Sequence, residues 1–294
     1  MEITAQTQLL GVMGHPIAQS KSPHMHNEAL TRQQLPFMYL AFDVHPEQLS
    51  QAVNGMRALG ARGWNVTIPH KVTIMPLLDE VNEDARKIGA VNTVVNEGGR
   101  LFGYNTDGAG YLKSLVEETG IHVSEQRVLI LGAGGAARGV SYALAQAGAG
   151  DIVIANRTWE KAERVRSFLT RMADVKAIRL DEIGNWMNDR TLIVNTTSVG
   201  MHPNVQESPL EESMLPEGAV VSDLIYNPPK TTLLKRAENR GCVIHNGYAL
   251  QRLNVRIHVA HAQPGLVEEF GEILRHPLGQ GGDEGAIALA RRLL

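Results

Sequence analysis

An ammonium, a carboxylate and a glycine loop are the parts of this sequence best suited to chemistry. Lys71 closes the run Asn65-Val66-Thr67-Ile68-Pro69-His70-Lys71, and Asp107 sits in Tyr104-Asn105-Thr106-Asp107-Gly108. Gly132-Ala133-Gly134-Gly135-Ala136-Ala137 directly follows an apolar run. A lysine can give a proton to an oxygen that gains charge, and a carboxylate can orient that lysine. Together with a nucleotide loop they point to hydride transfer to or from a carbonyl. The condition is that Lys71 and Asp107 meet in space; apart, each is an ordinary surface charge.

The glycine loop has the flanks that such a loop needs. Arg127-Val128-Leu129-Ile130-Leu131 reads as a buried strand before it, and Ala136 to Ala147 as a helix after it. Gly132 permits a tight turn, Gly134 lets the backbone approach a pyrophosphate, and Ala137 lets the helix pack close to the strand. Gly132, Ala133, Gly134, Gly135 and Ala136 then face the phosphates at the helix N-terminus, where unpaired N–H groups favour an anion. The alternative is a plain strand-to-helix turn. The next strand, Asp151 to Ala155, runs into Asn156-Arg157-Thr158 and offers no acidic residue for a free ribose 2′-hydroxyl. A guanidinium can instead pair a 2′-phosphate through two parallel hydrogen bonds. The expected cofactor is NADP (NADPH) over NAD, unless Arg157 is simply a solvated strand end.

A second group of polar residues suits a small hydroxylated ligand. Ser20 and Ser22 place two hydroxyls just before a helix start at Pro23, where they can hold a carboxylate, although Ser22 alone reads equally as an N-cap. Asn65 and Thr67 share one face of a strand, with Lys71 just past its end. Asn92 and Asn105 add amides near the ends of later segments; singly, each reads as a turn residue.

Alternating elements must position these groups. Leu9 to Gly14, Phe37 to Val44 and Gly63 to Ile68 read as strands; Pro23 to Gln33 and Pro46 to Leu59 read as helices, with Leu49, Val53 and Met56 at helical spacing. This predicts an α/β unit with a mostly parallel sheet. Ala90 to Val95 and Arg100 to Tyr104, around Gly98-Gly99, predict a hairpin at its edge. A second unit follows: helix Gly108 to Glu118, strand Arg127 to Leu131, helix Ala136 to Ala147, strand Asp151 to Ala155, helix Trp159 to Ala173, and strands Thr191 to Val194 and Ala219 to Leu224. That order predicts a doubly wound, Rossmann-like nucleotide-binding sheet. The expected organisation is a substrate-binding domain, residues 1–107, completed by the segment 245–294, and a dinucleotide-binding domain, residues 108–244, with a cleft between them.

Bulk properties exclude several classes. With 28 Lys and Arg against 31 Asp and Glu, and no basic block, the chain lacks the footprint of a nucleic-acid binder. No apolar stretch approaches the roughly 20 residues that span a bilayer. The opening residues Met1 to Gln6 show neither a basic nor an apolar signal region, and one cysteine, Cys242, forms no internal disulfide. A cytoplasmic setting is expected. His15, His24, His26 and His70 match no zinc spacing, so no metal is expected.

The motifs, in this order, resemble those of the shikimate dehydrogenase family. The matching pieces are Ser20 to Asn27, Asn65 to Lys71, Gly89 to Val94, Gly103 to Gly108, Gly132 to Arg138, Asn156 to Thr158, Asn195 to Met201, Asp223 to Pro228 and Asn246-Gly247. The resemblance implies reversible NADPH-dependent reduction of 3-dehydroshikimate to shikimate in aromatic amino-acid biosynthesis, and it leaves a homodimer open. It implies that Ser20 and Ser22 hold the substrate carboxylate, and that Asn65, Thr67, Asn92 and Asp107 bind the ring hydroxyls or keto oxygen. Lys71 is then the acid/base group with Asp107 as partner, and Tyr226 lies close to the substrate. Thr196, Ser198, Met201, Leu224 and Gly247 border the nicotinamide side, and Asn156, Arg157 and Thr158 form the 2′-phosphate pocket.

The tail departs from the family pattern. Leu250-Gln251 stands where the family has Met-Leu, and Asn254 where it has a substrate-contacting Gln. Either the tail has diverged or it is altered, for instance by a reading-frame change, with Gln251 or Asn254 as the substitute contact. Two rival functions remain open at this level: an NAD-preferring quinate/shikimate dehydrogenase, and a non-catalytic nucleotide- or metabolite-sensing homologue.

Overall fold

A computed structural model describes residues 3–247, so Gln251, Asn254 and nearly all of the return segment lie outside the described residues. The first unit runs β1 (Gln8–Gly14), α1 (Ser22–Arg32), β2 (Phe37–Asp43), α2 (Leu49–Ala58), β3 (Gly63–Val66), β4 (Glu80–Val81), α3 (Glu83–Ile88), β5 (Thr93–Glu97) and β6 (Arg100–Tyr104). Its six strands lie in the order β2-β1-β3-β5-β6-β4. The helical spacing of Leu49, Val53 and Met56 puts all three into the core of this unit, beside Trp64 and Val66.

Two expectations for this sheet need correction. The pairs β1–β2, β1–β3 and β4–β6 are parallel, but β3–β5 and β5–β6 are antiparallel, so the sheet is mixed. The two-residue turn Gly98-Gly99 is the physical reason for the β5–β6 pairing: it sends β6 straight back along β5, with no crossover. Nor is that hairpin at the edge, because the two-residue strand β4 pairs outside β6.

The second unit runs α4 (Asp107–Thr119), β7 (Arg127–Leu131), α5 (Gly135–Gln146), β8 (Asp151–Asn156), α6 (Trp159–Leu169), β9 (Asp174–Arg179), β10 (Leu192–Asn195), β11 (Val220–Asp223), α7 (Thr232–Asn239) and β12 (Val243–Asn246). Its order β12-β11-β10-β7-β8-β9, parallel throughout, is that of a doubly wound nucleotide-binding sheet. Val128 to Leu131 are fully buried, as a central strand covered on both faces requires. The chain leaves β7 first toward β8 and later returns to β10, so the glycine loop after β7 stands where the winding reverses, the usual place for a ligand. Because β12 pairs with β11, residues 245 and 246 belong to this sheet. Helix α6 ends at Leu169, short of the expected Ala173, because the chain must turn to begin β9 at Asp174.

Helix α4 joins the units. Tyr111, Leu112 and Leu115 pack with Val128, Ile130 and Val140 of the second core. The buried His245 ring of β12 bridges Ser114 on α4 and Ser222 on β11, each at 2.8 Å. Asp107, the first residue of α4, is therefore held by the second unit's core. Helix α5 also grips the first unit, through Arg138 Nη1 to Ile88 O at 3.1 Å and the Tyr142 hydroxyl to Asp84 Oδ1 at 2.9 Å.

Candidate active site

Lys71 lies in the turns after β3, on the first unit, and its ammonium donates to Asp107 Oδ2 from the second. Both side chains are largely buried, at 15% and 9% exposure, so water screens this pair far less than an exposed one. The other Asp107 oxygen accepts from Asn92 Nδ2 at 2.7 Å, and the Asp107 N–H donates to Asn105 Oδ1 at 3.2 Å. Position 107 also opens α4, where unpaired N–H groups favour a carboxylate. Asn92 is fixed in turn: its amide donates to Thr106 Oγ1 at 2.9 Å, and its carbonyl accepts the Thr106 N–H at 2.9 Å. The pair that the sequence required to meet does meet.

It meets beside the glycine loop. A Cβ built on Gly135 would lie 3.1 Å from Lys71 Cβ and 3.2 Å from its Cδ, so the lysine stem rests on the first residue of α5. Gly132 has φ +107°, a backbone conformation that L side chains rarely adopt, and a Cβ there would stand 2.6 Å from Thr196 Oγ1. Thr196 Oγ1 donates to Leu131 O at 2.7 Å, which holds the loop after β10 against the loop after β7. Ser198 and Met201 continue that loop on the surface. Leu224 and the buried Gly247 touch: a Cβ on Gly247 would come within 2.2 Å of Leu224 O. The turn, Gly134 with open space around it, and the α5 N-terminus fit a pyrophosphate. At the end of β8, Asn156 Nδ2 donates to Thr158 O at 2.7 Å, and Arg157 is exposed with no protein partner among the described residues. An unpaired guanidinium where an acid would serve a 2′-hydroxyl fits a 2′-phosphate.

On the substrate side, Asn65 Oδ1 accepts from the Tyr39 hydroxyl at 2.6 Å, and its amide donates to Asn92 O at 3.3 Å. Thr67 is half-buried just past β3, and its N–H donates to Met13 O at 2.9 Å. Ser22 is not an N-cap: it is the first helical residue of α1, and its N–H donates to Ser20 Oγ at 3.3 Å. Burial pushes up the pKa of the Tyr226 hydroxyl, in the loop after β11, and the neighbouring Lys21 backbone and Ser20 side chain act against that shift. Tyr226 of the second unit thus lies beside the proposed carboxylate site. Asn105 donates its amide to Ala90 O at 3.0 Å while its Oδ1 takes the Asp107 N–H, so it supports the site backbone.

Sequence reasoning missed four contributors. Tyr39 fixes Asn65, and Thr106 fixes Asn92, although Thr106 lies inside a motif that was already suspect. Asn195 and Asp223, polar residues ending the apolar strands β10 and β11, are fully buried and bonded at 3.1 Å. The histidines serve structure: His26 stacks on Tyr39 at 3.9 Å, His15 pairs with Asp43 at 2.8 Å, and His70 bonds Val44 O at 2.7 Å. Among the described residues no cluster of His, Cys, Asp and Glu could hold a metal ion.

A doubly wound sheet whose glycine loop adjoins a lysine from a second sheet, paired with a carboxylate of its own unit, defines a dinucleotide-dependent dehydrogenase. Residues 12–94 match the shikimate dehydrogenase substrate binding domain, and residues 114–228 match shikimate / quinate 5-dehydrogenase. The chain is 47% identical over 243 residues to shikimate dehydrogenase (NADP(+)) of Geobacillus sp. (strain WCH70), covering 83% of this chain and 88% of that one. It resembles shikimate 5-dehydrogenase from Listeria monocytogenes, solved with shikimate and NAD, with TM-score 0.79, 36% identity, and 93% and 98% of the two chains covered. It also resembles the Thermus thermophilus enzyme, solved with NADP(H) and shikimate, with TM-score 0.78, 34% identity, and 89% and 97% covered. The chain belongs to the shikimate dehydrogenase family.

Proposed function

We infer that this chain catalyses the reversible, NADPH-dependent reduction of 3-dehydroshikimate to shikimate, a step of aromatic amino-acid biosynthesis. The observation that carries the reading is the Lys71–Asp107 pair seated against Gly135 of the nucleotide loop. Membership of the family supports it.

NADPH, when bound, supplies a hydride to the ring carbonyl carbon. Lys71 gives its proton to the carbonyl oxygen as that oxygen gains charge, and takes it back in the reverse direction. Asp107 aims the ammonium and stabilises its charge, while Asn92 fixes the carboxylate from the other side. Ser20 and Ser22 hold the substrate carboxylate at the start of α1, and Asn65, Thr67, Asn92 and Asp107 meet the ring oxygens. Tyr226 covers the ligand from the second unit. Gly132, Ala133, Gly134, Gly135 and Ala136 face the pyrophosphate, Asn156, Arg157 and Thr158 the 2′-phosphate, and Thr196, Ser198, Met201, Leu224 and Gly247 the nicotinamide side. The two-domain division, with residues 1–107 presenting substrate and the second sheet presenting cofactor, belongs to the same reading. So does a cytoplasmic setting, supported by the lone cysteine and by the lack of any membrane-length apolar helix among the described residues.

The test is NADPH oxidation with 3-dehydroshikimate, repeated with 3-dehydroquinate and with NADH. Fastest turnover is expected for NADPH with 3-dehydroshikimate. A preference for NADH and 3-dehydroquinate would replace this assignment, and no turnover with any pair would remove it.

A further inference from the structure

Adjacent parallel strands β10 and β11 end at Asn195 and Asp223, which stand opposite each other in register. Both are fully buried. Asn195 Nδ2 donates to Asp223 Oδ1 at 3.1 Å, and Asn195 Oδ1 accepts from the Thr197 N–H at 3.0 Å and the Thr197 hydroxyl at 2.7 Å. That hydroxyl accepts the Val199 N–H at 3.2 Å, so one amide shapes the turn leading to Met201. Asp223 Oδ1 also accepts the Ile225 N–H at 3.0 Å, which folds the chain immediately before Tyr226. Its Oδ2 accepts the Thr231 hydroxyl at 2.7 Å, and Thr231 caps α7.

Nothing in hydride transfer uses these groups directly, yet each sits at the root of a loop that does. Among the described residues no Lys or Arg pairs with Asp223; its three donors are an amide, a backbone N–H and a hydroxyl. Burying a carboxylate on such terms is costly, and an asparagine, with one acceptor oxygen, could not receive all three donors.

We propose that Asn195 and Asp223 are positioning residues that lock the nicotinamide-side loop to the loop carrying Tyr226, so that cofactor and substrate are seated in one fixed geometry. The proposal rests on the functional reading above. With the pair intact, ordering one loop orders the other, and NADP+ and shikimate should each tighten the other's binding by an equal factor. Asp223→Ala removes the acceptor that both Asn195 and the Ile225 N–H share and so unties the loops, with neither residue touching a ligand.

The experiment measures NADP+ affinity with and without saturating shikimate, together with turnover per bound NADPH, in the unchanged chain and in Asp223→Ala. Counting per bound cofactor excludes unfolded molecules. The variant is expected to lose the mutual tightening and at least tenfold in kcat, with NADP+ affinity in the absence of shikimate changed less than threefold. An unchanged coupling factor and unchanged kcat per site would overturn the role of the pair alone. Lack of turnover by the unchanged chain would overturn the functional reading and this role with it. Should Asp223→Ala not fold, Thr231→Val removes the donor to Oδ2 together with the α7 cap; it should weaken coupling and kcat in the same direction, and unchanged values would overturn the proposal.

Discussion

Arg157 and Asn92 make separable demands at the scale of single residues. Arg157 is exposed at the end of β8, and no neighbour there depends on it. Arg157→Ala should therefore leave stability unchanged and weaken NADPH binding by about 1.5–3 kcal/mol, the worth of a charge-assisted hydrogen-bonded contact. NADH, which lacks the 2′-phosphate, should bind the variant as before; parallel titrations with the two cofactors decide the matter, and equal losses would discard the 2′-phosphate assignment. Asn92 is the opposite case, buried and bonded to Asp107 and Thr106. Asn92→Ala strands the carboxylate oxygen and the Thr106 N–H, so a stability loss of about 1–3 kcal/mol should accompany slower turnover. Urea midpoints and initial rates on one preparation would show both, and a loss confined to rate would mean that Asn92 has no structural share.

Elements impose their own constraint through close approach. The first residue of α5 and the stem of Lys71 share a space that a methyl group would invade at 3.1 Å. Gly135→Ala should push the ammonium off line and lower kcat about tenfold or more, while the remaining loop still binds NADPH. Fluorescence titration against steady-state rates checks this, and an unchanged kcat would show that the lysine has room to yield. Several segments with a continuous apolar run or helical spacing were already placed by the sequence. Thus β7 has the expected limits, and α2, α5 and β8 fall within a few residues of theirs. Among the elements not anticipated, α7 buries Leu233, Leu234 and Ala237 at helical spacing and was legible but passed over, whereas three others carry weak patterns. Edge strand β9 buries only Val175 and Ile178, and β4 is two residues long. Helix α3 spans six residues, and its signals are an Asn82 cap and Gly89, both of which read equally as turns. At the site, Lys71, Asp107 and the glycine loop were legible because their residue types are costly to place there without a use. Tyr39, Asn195 and Asp223 were not, since a side chain's partner across 26 or 28 residues has no local signature.

At the scale of the whole molecule, acid stability follows from which groups are buried. Burial holds His26 and His245 down to about 4 from the ordinary 6.5, so the unfolded chain takes up their protons first. Their stabilisation is complete above pH 6.5 and is lost as pH falls toward 4, on the order of 3 kcal/mol each. Asp223 acts in reverse: burial lifts it to about 6 from 3.8, so its contribution is complete below 3.8 and is lost as pH rises through 6. Two groups outweigh one, so the urea midpoint should drop between pH 6.5 and 4; a rise over that range would show that the histidines are not held neutral. The same packing of two sheets creates the chemistry, because Lys71 comes from one unit and Asp107 from a helix anchored in the other. If they act as one proton-handling unit, their effects cannot multiply. Single-turnover hydride transfer, with NADPH and 3-dehydroshikimate saturating, should be compared for Lys71→Ala, Asp107→Asn and the double variant. Lys71→Ala should slow the step by about 10²–10⁴-fold, and the double variant should be no slower than about threefold beyond it. Losses that multiply, or a Lys71→Ala rate within a few-fold of the unchanged chain, would contradict the account.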